Sequence, residues 1–438
     1  MLKTLRNAWN VVEIRKKLIF TFLMLVVIRF GSELPIPGVR TDFFASFFAS
    51  QSNDAFGFFN AMTGGSFTSL SVFALSITPY ITSSIIIQLL TIAIPKLEEM
   101  QKEGEDGRRK IAEYTRYLTV GLALLESVAM AVGFGGQGLL INYDVWSVLV
   151  VIVTMTAGSA LLMWIGERIT EHGVGNGISI VLLFNIVSSL PEDVNTLYLR
   201  FLYGRNIGMI VISVVVMLAV ALAMIIFVVY LNDGERRIPV QYSKKMAGRK
   251  MVGGNSSNIP LKVNTAGVMP VIFASSIMSF PVVIAQFFNV DYNSIGGTIL
   301  MMLNSSYWFR PAMPIYSIGL VIYLVLLVFF AYFYTSITFN PLEIADNMKK
   351  SGGFIPGIRP GKPTSDYLQK ILNYIILAGA IGLMVVALVP IIISGLFSVS
   401  RMSFMGTSLI IIVSVILETV KAIESQMMVR NYKGFLND

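Results

Sequence analysis

The chain has 438 residues, 55% of them hydrophobic and 13% charged, and carries a formal net charge of +8. That balance describes one polytopic membrane unit and excludes a soluble domain with a single anchor. Without a Cys and with His172 as its one histidine, the sequence excludes disulfides, thiolate metal sites and a histidine metal cluster.

Leu2, Leu5, Trp9 and Val12 recur at spacings of three and four, predicting an amphipathic helix on the inner membrane surface. Long uncharged runs then predict ten spans, at about 18–30, 68–93, 117–135, 146–166, 174–190, 207–231, 265–288, 313–336, 371–393 and 404–420. The first is read as a retained helix, because no small-residue cleavage site follows it and the run leads into Leu34–Pro35–Ile36–Pro37–Gly38. Residues 55–95 carry no charge, a stretch too long for one span, and Gly64–Gly65 with the Ser/Thr run from Ser66 to Ser71 interrupt it. A short half-helix at about 58–70 and a full helix from about 72 are predicted. Broken backbone at membrane depth survives only inside protein or beside a water-filled cavity, so the break points to a pore or substrate site.

Two long polar loops follow. Residues 231–265 place Arg236–Arg237, Lys244–Lys245 and Arg249–Lys250 around alternating Ile238, Val240 and Tyr242, predicting a protruding β-hairpin. Residues 337–370 hold Asn340–Pro341, Lys349–Lys350 and the turn Pro356–Gly357–Ile358–Arg359–Pro360–Gly361. The spans divide into an N-terminal half (1–190), an outer connection (191–206) and a C-terminal half (207–438). An odd number of spans per half forces opposite orientations, so an inverted repeat is open to this chain.

With an even number of spans both termini share a side. Every Lys and Arg lies on that side except Arg29, inside the first span, and Arg40, Arg200, Arg205, Arg310 and Arg401. The positive-inside rule makes the crowded side cytoplasmic. The loops account for the positive charge without nucleic acid, and they suit acidic lipid or ribosomal RNA. Within the spans, Arg29 reads as snorkelling or pairing with Glu33. Glu126 reads as a protonated, hydrogen-bonded carboxyl or as a gating or proton-coupling group. Ser76, Thr78, Thr82, Ser83, Ser84 and Gln88 in the second span, and Asn264, Thr265, Ser275, Ser276 and Ser279 in the seventh, either glue helices together or line a seam that opens. No Gly-x-x-x-x-Gly-Lys-Ser/Thr loop, His-Glu-x-x-His motif, Gly-x-Ser-x-Gly elbow or intramembrane carboxylate pair appears. An ATPase of that type and an intramembrane hydrolase therefore lack their constellations. A secondary transporter remains the rival class, and it calls for convergent polar groups at the midplane.

Specific strings then carry a resemblance over nearly the whole chain, in order. They are Phe73–Ala74–Leu75 with Thr78–Pro79–Tyr80–Ile81; Ile85 to Leu90; Lys102–Glu103–Gly104 with Gly107–Arg108–Arg109–Lys110; Tyr114–Thr115–Arg116–Tyr117; Gly175 to Ile180; Ile272 to Ser276; Phe339–Asn340–Pro341; Ala345–Asp346–Asn347 with Lys349 to Gly352; and Pro356 to Gly361. With them the chain closely resembles the SecY family, the central subunits of protein-conducting channels.

The resemblance implies an all-α membrane protein whose ten transmembrane helices form two inverted five-helix halves closed like a clamshell. It implies a channel that translocates unfolded secretory polypeptides and releases apolar segments sideways into lipid, with no cofactor and no catalysis of its own. Similarity to the family's constriction selects Ile77, Ile81, Ile178, Leu182, Ile272 and Ile411 as a pore ring, Leu182 departing from an all-isoleucine version. Aliphatic side chains from four helices suit a dewetting seal that deforms around a peptide. The broken segment resembles the family's plug, here Gly64, Gly65, Ser66, Phe67 and Ser69, with Ser69 standing where some relatives carry arginine. Thr82, Ile85 and Gln88 facing Phe280 resemble the lateral gate. Arg236, Arg237, Arg249, Lys250 and Arg359 look like docking residues for the SecA motor and the ribosome. SecE-like and SecG-like membrane subunits, signal sequences, unfolded preproteins and membrane lipids complete the implied partners, in a bacterial cytoplasmic membrane with both termini inside.

The charge distribution sets a direct test. Reporters fused after Lys250 and after Lys362 are expected to report the cytoplasm, and one near Arg205 the exterior. Finding Lys250 outside overturns the orientation.

Overall fold

The computed structural model describes residues 6, 8–42, 63–199, 206–242, 245–247, 250–252, 256–285, 294–304, 307–308, 314–397 and 407–434. In chain order the N-terminal half contains α1 (Val12–Glu33), α2 (Thr78–Ala93), α3 (Pro95–Lys102), α4 (Glu105–Phe134), α5 (Val145–His172) and α6 (Gly177–Leu197). Next come α7 (Ile207–Asp233), the strands β1 (Glu235–Tyr242), β2 (Lys245–Ala247), β3 (Lys250–Val252) and β4 (Ser256–Lys262), α8 (Met269–Ala285) and α9 (Ile295–Leu303). The chain finishes with α10 (Ser317–Thr338), α11 (Pro341–Ser351), β5 (Gly353–Phe354), α12 (Lys362–Phe397) and α13 (Thr407–Gly434).

Glu105–Leu139, Val145–His172, Ile210–Asp233, Pro314–Ser351 and Lys362–Ile393 are long and apolar enough to cross a membrane, and the pair α2–α3, bent by 101°, counts as one more broken span. Gly177–Pro191 and Met269–Val282 are shorter apolar helices. Each predicted span overlaps a described helix. The most apolar window, in α7, is only 6% buried inside the protein. A helix hydrophobic all round and uncovered by protein needs an apolar solvent, which the bilayer supplies.

Helix ends follow local chemistry. Pro79 and Pro95 sit in the first turns of α2 and α3, where the missing N–H costs nothing. Asn176 caps α6 by accepting from the Ile178 and Ser179 amides at 3.1 and 3.3 Å. Asn340 caps α11 in the same way, and Gly352 ends that helix in the left-handed conformation at φ 77°. Hydroxyls inside the spans mostly bond back to the carbonyl four residues earlier, as in Thr119 to Thr115 and Thr335 to Ala331. This satisfies them without a partner helix.

Packing is dense within each half. α4 lies against α2 and α5, α5 against α1 and α6; in the other half α10 lies against α8 and α12, and α7 against α12 and α13. Between halves, α6 against α13 is the one extensive helix pairing among the described residues. A second tie lies at the base, where Ala8 and Ile14 share an apolar cluster with Val174 and Ile423, and Lys17 Nζ donates to Gln426 Oε1 at 3.3 Å. Trp9 and Val12 of the predicted surface helix are exposed, as a membrane-facing side requires; Leu2 and Leu5 lie outside the described residues.

The structure departs from the sequence reading at the break before α2. Of the predicted half-helix at 58–70, residues 58–62 lie outside the described residues; Gly64 to Leu70 forms consecutive turns, and α2 begins at Thr78 and not near 72. The backbone supplies the reason. Gly64, Gly65, Leu70 and Ser76 have φ of 65°, 86°, 48° and 52°, and left-handed residues at both ends stop a right-handed helix from propagating.

The predicted hairpin is present as β1 paired antiparallel with β4, from Glu235 opposite Lys262 to Gln241 opposite Ser256. Its alternation buries Ile238 and Val240. The second loop is not separate from it: β5 adds to the free edge of β1, giving the order β4-β1-β5. The sheet packs on Met348, Ile355, Leu368 and Ile371, so both loops form one body on the ends of α11 and α12.

Close backbone approach fixes α5. A Cβ on Gly158 would lie 2.0 Å from the Val72 carbonyl oxygen, and one on Gly177 2.0 Å from that of Gly166. Gly158→Val is therefore expected to lower thermal stability by about 1–3 kcal/mol through overpacking, read as an earlier melting midpoint in detergent. Wild-type melting would place Val72 elsewhere.

Candidate functional site

The predicted ring residues come from four helices. Ile77 immediately precedes α2 and Ile81 lies in its first turn; Ile178 and Leu182 are one turn apart on α6; Ile272 lies in the first turn of α8; Ile411 is near the start of α13. The structure brings all of them into one apolar cluster shared by both halves. Ile77, Ile81, Leu182, Ile272 and Ile411 are buried, and Ile178 packs against them partly buried. Gly166 makes room on α5: a Cβ there would stand 3.1 Å from Ile178 Cγ1 and 3.5 Å from Ile77 Cδ1. The assembly of these side chains is thus aliphatic and drawn from both halves, which meet extensively only where α6 packs on α13.

Over this cluster runs the irregular segment 64–77. It is held along its whole length. Arg29 Nη1 on α1 donates to the Gly64 carbonyl at 3.3 Å, and Arg29 Nη2 pairs with Glu33 at 2.5 Å. Pairing with Glu33 was one of the two sequence readings of Arg29; the bond to Gly64 was not foreseen. The Ile36 amide donates to the Leu70 carbonyl at 3.0 Å and the Val72 amide to the Leu34 carbonyl at 2.9 Å, forming a short bridge of Pro35 to Ser71. At the far end Asn185 Nδ2 on α6 donates to Ser76 Oγ at 2.9 Å, and Ser159 Oγ on α5 donates to the Ser76 carbonyl at 3.1 Å. Ser76 is a non-glycine residue at φ 52°, a conformation costing roughly 1–2 kcal/mol that these bonds offset.

The predicted plug residues are distributed through the segment. Gly64 and Gly65 make its first turn, Ser66 and Phe67 are buried beneath it, and Ser69 Oγ donates to the Gly65 carbonyl at 3.1 Å. The Ser66 Oγ is buried with no protein partner. Phe67 and Leu70 belong to a second apolar cluster with Ile36, Phe134, Leu140 and Met155.

The predicted gate helices, α2 and α8, barely meet. No extensive pairing joins them among the described residues. Ile85 is buried in the shared cluster, Thr82 is half-buried, and Phe280 is 51% exposed on α8. Gln88 Nε2 donates to Ser84 Oγ at 3.4 Å, while its buried Oε1 finds no protein partner. At the base of the seventh span Asn264 Nδ2 donates to Asn232 Oδ1 at 2.7 Å, and Asn232 Nδ2 to Ser414 Oγ at 2.8 Å.

The docking candidates divide. Arg236 is exposed on β1; Arg237 is exposed but held to Glu235 at 2.5 Å. Arg249 lies outside the described residues, and Lys250 opens β3. Arg359 is exposed on a turn fixed by Gly357 at φ 82° and Gly361 at φ 101°. Thr364 Oγ1 closes that turn on the Arg359 carbonyl at 2.8 Å, and buried Ile355 anchors it to the sheet. Arg359 is thus presented from rigid backbone. Sequence reasoning missed the ion pair of Arg116 with Glu167, 2.8 Å across α4 and α5, because such pairing depends on which helices are neighbours.

A helical membrane protein with an aliphatic junction between sparsely joined halves, crossed by a pinned irregular segment, has the architecture of a channel. The comparisons with known proteins agree. Residues 71–420 match the family model described as SecY. The chain is 44% identical to the protein translocase subunit SecY of Streptomyces scabiei and 42% identical to that of Mycobacterium bovis, in each case over all of both chains. The structure described as a protein conducting channel covers 95% of this chain and 93% of its own, with TM-score 0.63 at 18% identity. A canine ribosome–channel complex from the endoplasmic reticulum covers the same shares with TM-score 0.62 at 17% identity. The chain belongs to the SecY family.

Proposed function

We infer that this chain is the channel subunit of a protein translocase, conducting unfolded polypeptides across a membrane and releasing apolar segments through the side into lipid. Full-length identity to translocase subunits carries that reading. The aliphatic cluster supports it over a small-solute transporter, whose site would gather polar groups at the junction. Ile77, Ile81, Ile178, Leu182, Ile272 and Ile411 form the ring in this reading, and segment 64–77 is the plug above it. The halves are 1–190 and 207–438, joined at 191–206, whose first residues to Leu197 continue α6 where the sequence reading expected a loop, with ten spans in inverted arrangement. Ion flow is blocked because water leaves a narrow aliphatic throat, yet side chains without hydrogen bonds part at little cost around a peptide.

Thr82, Ile85, Gln88 and Phe280 line the exit between α2 and α8. The sparse packing there supports this, since an apolar signal helix must open that seam to reach lipid. Orientation follows the cationic loops, with both termini in the cytoplasm of a bacterium and the sheet of β1, β4 and β5 facing it. Arg236, Arg237, Arg249, Lys250 and Arg359 meet the driving partner there, a SecA-like motor or the ribosome. One matched relative was solved in a ribosome–channel complex. SecE-like and SecG-like subunits cover part of the apolar surface left open.

The ring is tested by Ile81→Gly with Ile272→Gly. The double variant is expected to raise resting conductance in planar bilayers at least several-fold, because the throat loses volume and apolar surface. Conductance equal to wild type would show the ring to be misassigned.

Docking is tested in vesicles holding the chain with its membrane partners, a motor and a precursor. Wild type is expected to shelter the precursor from added protease. Arg359→Glu is expected to cut protection and precursor-stimulated ATPase about tenfold or more, since charge reversal in an interface costs several kcal/mol. Channel abundance should hold, because an exposed turn charge contributes within ~0.5 kcal/mol to stability. Normal ATPase and protection would leave the 337–370 loop without its partner.

A further inference from the structure

Asn185 is the polar exception in an apolar run of α6, between Leu182 of the ring and Ile186, and it is only 4% exposed. A buried amide in that setting must be partnered; its side chain bonds the far end of the segment above the ring, while its backbone packs on the near end. Its side chain donates to Ser76 Oγ at 2.9 Å. Its backbone lies against Gly64, so closely that a Cβ on Gly64 would fall 2.9 Å from the Asn185 carbonyl oxygen and 3.1 Å from its Cα. Gly64 at φ 65° and Ser76 at φ 52° are the left-handed residues that begin and end the irregular stretch. One residue of α6 thus stands where the stretch closes on itself, one turn of helix from Leu182.

We propose that Asn185 is a positioning residue of the seal: it clamps the ends of segment 64–76 together and so sets how readily that segment leaves the ring. This rests on the reading of the ring and plug given above. Movement of the segment breaks the Asn185–Ser76 bond and releases Ser76 from its left-handed conformation. The clamp therefore favours the closed arrangement and contributes nothing to an open one. A group that merely glues helices would stabilise both arrangements alike, and its loss would lower abundance without changing leak.

The experiment uses Asn185→Leu, Ser76→Ala, the pair together, and the Ile81→Gly/Ile272→Gly channel as reference, each assembled with its membrane partners and measured in planar bilayers. Ser76→Ala keeps the backbone position nearly isosteric, so it reports even where the α6 change lowers yield. Each single variant is expected to raise resting conductance roughly fivefold to tenfold, the population shift that follows loss of one buried hydrogen bond. The pair should leak no more than Asn185→Leu alone, because Ser76→Ala removes a bond that variant has already lost. Abundance should stay at wild-type level. Wild-type conductance in both single variants while the reference leaks overturns the clamp and leaves the ring standing. Additive leak in the pair also overturns it, since the two side chains then act separately. A tight reference channel would remove the ring itself and the clamp with it.

Discussion

In a bilayer every backbone N–H and C=O must find a partner inside the protein, and helices do this by themselves. Segment 64–77 is the place where this chain does without a helix, and much of the surrounding architecture answers to that. Leu34 and Ile36, just past α1, lend it a strand-like bridge. Arg29 reaches it from α1, Ser159 from α5 and Asn185 from α6. α5 can approach because Gly158 has no side chain to collide with Val72. Remove these borrowed partners and the stretch has no reason to stay non-helical at its depth.

The same constraint explains why the halves are joined as they are. Each half satisfies its own backbone, so the junction between them needs neither hydrogen bonds nor wide contact. What remains there is dispersion between aliphatic side chains, individually weak and without direction. The pairing of α6 with α13 and the basal tie of Lys17 to Gln426 keep the halves associated. The opposite side, between α2 and α8, is left lightly packed. The junction is therefore asymmetric, packed where α6 meets α13 and sparse between α2 and α8.

Much of this was legible in the sequence because the signals are periodic and local. Uncharged runs located the helices, and alternating Ile238 and Val240 located β1. The ring residue types came from resemblance, and their gathering into one cluster is a tertiary fact. The failures are equally physical. The half-helix at 58–70 was inferred from apolar length, but the left-handed Ser76 is held by Asn185, more than a hundred residues on, and no window of sequence holds both. The addition of β5 to β1 was invisible because a strand of Gly353 and Phe354 has no period to detect.

That β5 pairing changes how the cationic loops are to be understood. With separate loops, Arg236 and Arg359 would be independent charges on flexible tethers, and a partner binding both would bear the ordering entropy of each. Joined in one sheet and seated on Ile355, Leu368 and Ile371, they belong to one body. That body is continuous with α12, which packs on α7 and α10, the latter bearing on α8 at the seam. A load applied to the sheet would therefore be borne by packed helices as far as α8. A channel driven by a partner needs that stiffness, because the work it transmits is done by whatever grips the sheet.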